Sequence, residues 1–302
     1  MESVSVIIST YTIERVSCVL DCINSLRKQT LPPKEIILVL DPDEKLVEFY
    51  KTCAPDDVKI IVSKGRGLSY ARNAGVKRAE GEIVAFIDDD AVADERWLEN
   101  LIKNYGDPHV IGVGGLIEPL WESSRPIWLP EELDWIIGCS YKGLPEYRAV
   151  IRNPIGCNMS FRREVFEKVG FFRSDVGRFG KRSLSGEEPD FSIRVLKNLP
   201  EAKILYDPSA IVYHKVIRSR LSLKYLFMRS LNEGVSKAMI SNSAGSLAFL
   251  STERNYLRYL FRVAIPSRLR HLYNLNSLLQ LASLFLSLTG FSLGYIFYKI
   301  LR

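Results

Sequence analysis

Apolar residues in the first ninety positions fall into short, unbroken runs separated by polar stretches of helical spacing. The runs Val4 to Ser9, Ile36 to Leu40, Val58 to Val62 and Ile83 to Ile87 are rich in β-branched residues rather than alternating, which predicts strands covered on both faces. Between them, Val16 to Lys28, Glu44 to Thr52 and Leu68 to Arg78 carry the three-to-four-residue apolar period of helices. Strand and helix alternate as β-α-β-α-β-α-β. The fold class is therefore α/β, a mostly parallel sheet with right-handed crossovers and helices on its faces. In such a sheet the carboxyl ends of the strands meet along one rim, where ligands bind. Here that rim receives Thr10 and Tyr11, Asp41, the Lys64-Gly65-Arg66-Gly67 turn and the triplet Asp88-Asp89-Asp90.

The triplet is the most informative of these. Three carboxylates at the end of a buried strand supply hard oxygen ligands, which suit Mg2+ or Mn2+ clamping a diphosphate. Asp also favours helix starts, but three in succession exceed what one cap uses. Neither common phosphate signature is present: no GxGxxG follows the first strand and no GxxxxGK[ST] occurs. A nucleotide site of another design is expected.

Composition narrows the picture. A chain of 302 residues, 47% hydrophobic and 25% charged, can bury a large core and add a smaller C-terminal module, and is not disordered. Five Cys residues without a CxxC pair argue against a disulfide framework and a zinc site and favour a reducing compartment. Cys18 and Cys22 read as core residues of a helix. The first strand follows the N-terminus with no basic region ahead of it, so no signal peptide and a cytoplasmic catalytic domain are expected. The net charge of +6 is uneven, with Lys and Arg dominating after about His214. Leu278 to Tyr298 carries no Asp, Glu, Lys or Arg and is long enough to cross a bilayer. Its Ser, Thr, Gln and Gly content leaves an interfacial or re-entrant helix and a dimer interface open. Upstream, Arg254, Arg258, Arg262, Arg268 and Arg270 interleave with Tyr256, Leu257, Tyr259, Leu260 and Phe261. That mixture suits nucleic acid or anionic headgroups, and the apolar stretch after it favours the membrane.

Several segments resemble one family. Ser5-Val6-Ile7-Ile8-Ser9-Thr10-Tyr11, Glu35-Ile36-Ile37-Leu38-Val39-Leu40-Asp41, Ala71-Arg72-Asn73-Ala74-Gly75, Phe86-Ile87-Asp88-Asp89-Asp90 and Gly186-Glu187-Glu188-Pro189-Asp190-Phe191-Ser192-Ile193-Arg194 are similar, in this order, to the motifs of family 2 glycosyltransferases. The resemblance covers residues 3 to 220 and implies a GT-A fold, a nucleotide-diphosphate sugar donor, a divalent metal and an inverting mechanism. The segments Tyr225 to Lys237 and Leu250 to Tyr259 look like membrane-associated archaeal enzymes that extend dolichyl-linked glycans.

Carried over position by position, the resemblance implies that Tyr11 stacks near the base, with Thr10 beside it, and that Asp41 accepts a hydrogen bond from the base. Leu40-Asp41-Pro42-Asp43 keeps only the second acid of the usual pair, so uracil and guanine both stay open. Lys64 and Arg72 are candidates for base or diphosphate, against a solvated helix face. Asp88 and Asp89 would face the ribose. Asp90 would ligate Mn2+ or Mg2+, joined by His214, which is otherwise a structural residue at a strand end. Glu188 is the expected general base, since inverting transfer to a hydroxyl needs a carboxylate facing that hydroxyl; Glu187-Glu188-Pro189 is equally an acidic first helical turn. Gly114, Gly115, Trp121, Trp128 and the stretch Asn153 to Ser160, with Asn158 in it, would line the sugar and acceptor pockets. Arg218 and Arg220 would hold a donor or acceptor phosphate, or form a basic membrane-facing surface.

The expected organisation is a catalytic domain over 1–220, nucleotide-sugar binding in about 1–120 and acceptor binding in about 121–220. A membrane-associated helical region over 221–302 follows, with a hydrophobic helix at about 276–300. The expected protein is a metal-dependent inverting glycosyltransferase at the cell membrane, its catalytic domain on the cytoplasmic side. It would move sugar from a UDP-sugar or GDP-mannose to a polyprenyl- or dolichyl-linked glycan, as in protein N-glycosylation, and bind no nucleic acid. A polyprenyl-phosphate monosaccharide synthase is the rival enzyme, and an inactive membrane-bound sugar-nucleotide binder the rival of another class. The absence of Gln-x-x-Arg-Trp argues against a processive synthase.

Overall fold

A computed structural model describes residues 2–175, 185–244 and 251–300. Its strands are β1 (Val4–Thr10), β2 (Glu35–Leu40), β3 (Val58–Val62), β4 (Ile83–Asp88), β5 (Ala91–Ala93), β6 (Val110–Trp121), β7 (Ala149–Ile151), β8 (Asn158–Arg162) and β9 (Lys203–Val216). Its α-helices are α1 (Val16–Arg27), α2 (Glu44–Cys53), α3 (Leu68–Arg78), α4 (Trp97–Ile102), α5 (Arg163–Val169), α6 (Glu187–Asn198), α7 (Leu223–Ala244), α8 (Ser251–Tyr259), α9 (Ile265–Leu269) and α10 (Leu275–Ile300). The first seven elements fall where the apolar periodicity puts them, to within a residue or so. Chain contacts divide the described residues into two compact units, one of 2–118, 146–175 and 187–214 and one of 119–145, 185–186 and 215–300.

The strands form one sheet in the order β3-β2-β1-β4-β8-β6-β9-β5, with β7 on β9. It is parallel only over β3, β2, β1 and β4. Beyond β4, the pairings of β4 with β8, β6 with β8, β5 with β9 and β7 with β9 are antiparallel. The expected mostly parallel sheet is thus a mixed one, because the strands after β4 join it by antiparallel pairing.

In the first unit, Val19, Cys22, Ile23 and Leu26 form the buried stripe of α1, and Cys18 is half-buried. Asp43 caps α2, its carboxylate accepting from the Leu46 amide at 3.2 Å, which explains one acid of Asp41-Pro42-Asp43 without calling on a ligand. Gly75 brings α3 onto β1, since a Cβ there would lie 2.6 Å from Ile7. Beneath the sheet Phe86, Phe161, Phe166, Phe172 and Phe191 pack together, Phe166 and Phe191 stacked at 4.5 Å. Each buried ring contributes on the order of 2 kcal/mol. The cluster fixes α5 and α6 to the sheet.

In the second unit, α7 and α10 approach backbone to backbone. A Cβ on Gly290 would lie 2.9 Å from the Phe227 carbonyl, and one on Gly234 or Gly294 would collide with Phe291 or Leu231. Ser230 and Ser287 share a hydrogen bond of 2.9 Å at this seam. Ser287, Gly290 and Gly294 of α10 therefore face α7, while Leu278, Phe285, Leu293, Ile296 and Phe297 are exposed. Among the described residues α10 is the one helix long and apolar enough to cross a membrane, with a mean hydropathy of 1.5 in its most apolar window. Arg268 turns inward onto Glu132 at 2.7 Å, and the Tyr256 hydroxyl donates to the Glu132 carbonyl at 2.7 Å. Arg254, Arg258, Arg262 and Arg270 stay exposed beside Leu257, Phe261, Val263 and Leu269.

Candidate active site

The carboxyl ends of β1, β2 and β4 carry the first shell of polar groups. The amide of Asp41 donates to the Thr10 carbonyl at 3.2 Å, and the Asp41 carboxylate accepts from the Gly67 amide at 3.3 Å, at the positive-φ glycine that starts α3. Burial pushes the Asp41 carboxyl upward, against the lowering effect of that amide and of Arg66. Tyr11 is exposed, with the Arg15 guanidinium 5.5 Å from its ring centre. Lys64 is exposed on the turn after β3.

The aspartate triplet bridges β4 and β5: Asp88 ends β4, and Asp89 and Asp90 form the turn. Both turn residues are buried. Arg15 lies 2.8 Å from Asp89 and 3.1 Å from Asp90. Burial and the neighbouring Asp90 push the Asp89 carboxyl up to about 6 in spite of Arg15. Antiparallel pairing sets His214 of β9 opposite Ala91, which brings its Nε2 to 3.3 Å from Asp90 Oδ1.

Arg72 occupies the centre of a second cluster. It is 3% exposed and lies on the phenylalanine core, 5.9 Å from the rings of Phe86 and Phe172. Its guanidinium reaches Glu187 at 3.2 Å, Glu188 at 3.4 Å and Asp88 at 3.5 Å and donates to the Gly156 carbonyl at 3.0 Å. Although burial alone would disfavour the cation, Glu188, Glu187 and Asp88 hold its pKa above the ordinary arginine value. Its planar fork thus ties the strand bearing the aspartates to the start of α6. The positive φ of Gly186 turns the chain into that helix. Gly156 has no room for a Cβ, which would overlap Glu188 and Arg72.

Asn158 and Gly115 hold the sheet beneath this site. The Asn158 amide donates to the carbonyls of Leu116 and Ala210 at 2.9 and 2.8 Å and accepts from Trp97 Nε1 at 2.8 Å. A Cβ on Gly115 would strike Ala210 and Asn158. Both are structural supports here. Trp121, Arg218 and Arg220 belong to the second unit. Trp121 packs under Arg125 at 4.9 Å, the Arg218 amide donates to Glu122 at 3.1 Å, and the buried Arg220 guanidinium donates to the Ile137 carbonyl at 3.0 Å.

Arg15 is absent from the sequence reading, and Gly156 and Cys157 enter it only within the stretch Asn153 to Ser160. Arg15 lies one helical turn beyond Tyr11, a spacing that could have drawn notice; the other two are recognisable only through their neighbours.

The donor set fits a divalent cation. Five carboxylates, Asp88, Asp89, Asp90, Glu187 and Glu188, gather around two guanidiniums, and Asp90 with His214 offers an oxygen and a nitrogen ligand side by side.

Known proteins share this fold. The mannosyltransferase PcManGT from Pyrobaculum calidifontis, solved with GDP-Man and Mn2+, superposes with a TM-score of 0.59 at 17% identity, over 96% of this chain and 87% of that one. GalNAc-T7, solved with UDP, GalNAc and Mn2+, gives 0.56 at 18% identity, over 87% of this chain and 57% of that one. The fold is that of the GT-A glycosyltransferases. The Haloferax volcanii protein named glucosyl-dolichyl phosphate glucuronosyltransferase is 32% identical across 97% of this chain and 95% of its own length. The succinoglycan biosynthesis protein ExoM of Rhizobium meliloti is 26% identical over 66% of this chain and 62% of its own. The family model described as glycosyl transferase family 2 matches residues 5–170. The chain belongs to this family and is a glycosyltransferase.

Proposed function

We propose that the enzyme transfers a sugar, with inversion, from a nucleotide-diphosphate donor to a hydroxyl of a glycosyl-dolichyl or related polyprenyl-linked acceptor. The observation that carries this reading is the Arg72 fork. One buried guanidinium holds Asp88, assigned to the donor ribose, and Glu188, assigned to the acceptor, so base and donor site share one fixed support. The relative in Haloferax volcanii, matched almost end to end, supports a dolichyl phosphate acceptor already bearing a sugar.

Thr10, Tyr11 and Asp41 would receive the base, and Asp88 and Asp89 the ribose. Asp90 and His214 would hold Mn2+ or Mg2+, which when bound offsets the charge of the departing nucleoside diphosphate. The Mn2+ named with both structural neighbours supports a divalent ion here. Arg15 lowers the cost of bringing the two buried aspartates together. Glu188 takes the proton of the acceptor hydroxyl as its oxygen attacks the anomeric carbon; a carboxylate needs no unusual basicity for this once it is held in reach. Arg72 orients Glu188 and pairs with Glu187 behind it.

A C-terminal membrane attachment accompanies this chemistry. The outward Leu and Phe of α10 and the exposed Arg254, Arg258, Arg262 and Arg270 suit insertion at an anionic surface, with the catalytic unit on the cytoplasmic side. Incubating the purified protein in detergent with UDP- and GDP-sugars and glycosylated polyprenyl phosphates, and reading products by mass spectrometry, tests the reaction. A product one sugar longer supports it. Transfer only to unglycosylated polyprenyl phosphate would instead make the enzyme a lipid-phosphate sugar synthase.

A further inference from the structure

The register of three strands converges on a second set of metal ligands. The antiparallel pairing of β4 with β8 sets Ile87 against Asn158, so the next residues along each chain, Asp88 and Cys157, meet at the strand ends. His214 reaches the same spot from β9. The carboxylate, the thiol sulfur and an imidazole nitrogen of these residues all lie within 4.8 Å of one another. Tetrahedral Zn2+ with bonds of about 2.0 to 2.3 Å holds its ligands roughly 3.5 Å apart, so small side-chain rotations would close the site. A buried cysteine in an apolar core is ordinarily inert. Cys157 differs in having an acid and an imidazole beside it, and the side chain of Asp88, 30% exposed, gives an ion access from the crevice.

We propose that Asp88, Cys157 and His214 form a binding site for a thiophilic divalent cation, Zn2+ foremost, which shares His214 with the hard-cation site and therefore competes with it. Sulfur is what distinguishes the two. Carboxylate with imidazole accepts Mn2+, whereas an added thiolate favours Zn2+ and its neighbours in the affinity series, with release of the thiol proton on binding. The inference rests on His214 belonging to the donor-site metal, as read above, and predicts that Zn2+ inhibits Mn2+-supported transfer.

Co2+ is the probe, added to the full chain in detergent. The unmodified protein should show a thiolate-to-cobalt charge-transfer band that Zn2+ abolishes, and Cys157→Ser should lack the band. Zn2+ binding should weaken on the order of tenfold or more in the variant, since even a group behind a ligand costs that much. Because the substitution alters a buried position, a measurement on the unmodified protein accompanies it. Zn2+ should slow alkylation of Cys157, mapped by mass spectrometry, about tenfold relative to Cys53. Identical cobalt spectra in both proteins, or alkylation of Cys157 indifferent to Zn2+, overturns the site. Mn2+ binding by Asp90→Asn, read by electron paramagnetic resonance, reports the hard-cation assignment separately.

Discussion

Replacing Arg72 by Met keeps much of the stem that lies on Phe86 and Phe172 but removes the charge at the centre of the site. Glu187 is as buried as Arg72, each about 3% exposed at the side chain, and would lose its guanidinium partner. Removing one partner of a buried ion pair costs about 3 to 5 kcal/mol. In a chain of this size that lowers the melting temperature by roughly 10 °C. The loss should depend on pH in a definite direction. Without Arg72 the Glu187 carboxyl rises above its ordinary value, so the penalty is full at neutral pH and fades as acid protonates the group. The gap between variant and wild type should therefore narrow from pH 8 to pH 5. Arg72→Lys should recover part of the stability but little turnover, because one ammonium cannot span Asp88, Glu187 and Glu188 as the fork does. Calorimetry across pH with sugar transfer measured in parallel checks both statements. Wild-type stability in Arg72→Met, or a gap independent of pH, would refute the reasoning.

Chelation should abolish transfer and Mn2+ should restore it, and Asp90→Asn should need far more Mn2+ than wild type; full activity in excess chelator sinks the metal assignment. Phe285→Glu and Leu293→Glu, at outward positions 49% and 50% exposed, should leave the melting temperature nearly unchanged yet shift the protein from the membrane to the soluble fraction, each charge costing roughly 3 kcal/mol in hydrocarbon. Glu233 is pushed up by burial but held down at about 2 by Lys237, Arg229 and the Ser185 hydroxyl. Its contribution, about 3 kcal/mol, is complete above pH 4.5 and disappears as pH falls through 2. Glu233→Gln should remove that part of the acid sensitivity, seen as a shallower loss of stability below pH 4.5.

The nucleotide half of the fold was legible because its strands are buried on both faces and its helices carry clean apolar stripes. The Asp triplet was legible because its position after β4 fixes where its charge goes. The antiparallel strands were harder to read: β9 runs over fourteen residues, Lys203–Val216, but its mixed polar and apolar positions showed only at Ile211-Val212-Tyr213. Arg72 was read as a candidate for base or diphosphate, and its contacts were not foreseen because a helix motif says nothing of what lies opposite, and its acidic partners Glu187 and Glu188 are more than a hundred residues away in the chain. Gly115 and Asn158, expected as pocket residues, also make close strand contacts that only the fold reveals. Ser287, Gly290 and Gly294 of α10 looked like dilution of a hydrophobic helix until the seam with α7 gave them a face of their own. Cys157 was not read as a neighbour of Asp88 and His214, because cysteine spacing reports only ligands near in sequence.

The central claim is that Glu188 removes a proton from a sugar hydroxyl on a lipid-linked acceptor, and Glu188→Gln measures it most directly. The amide keeps the size of the side chain and a carbonyl oxygen toward Arg72 but cannot accept the proton. Single-turnover transfer to a glycosylated polyprenyl phosphate should fall by about a hundredfold or more, while donor affinity, measured by titration calorimetry, stays within about threefold, well short of one tenfold step in free energy. Near-normal turnover in Glu188→Gln would contradict the account and point to an acceptor, such as a lipid phosphate, that has no proton to give up.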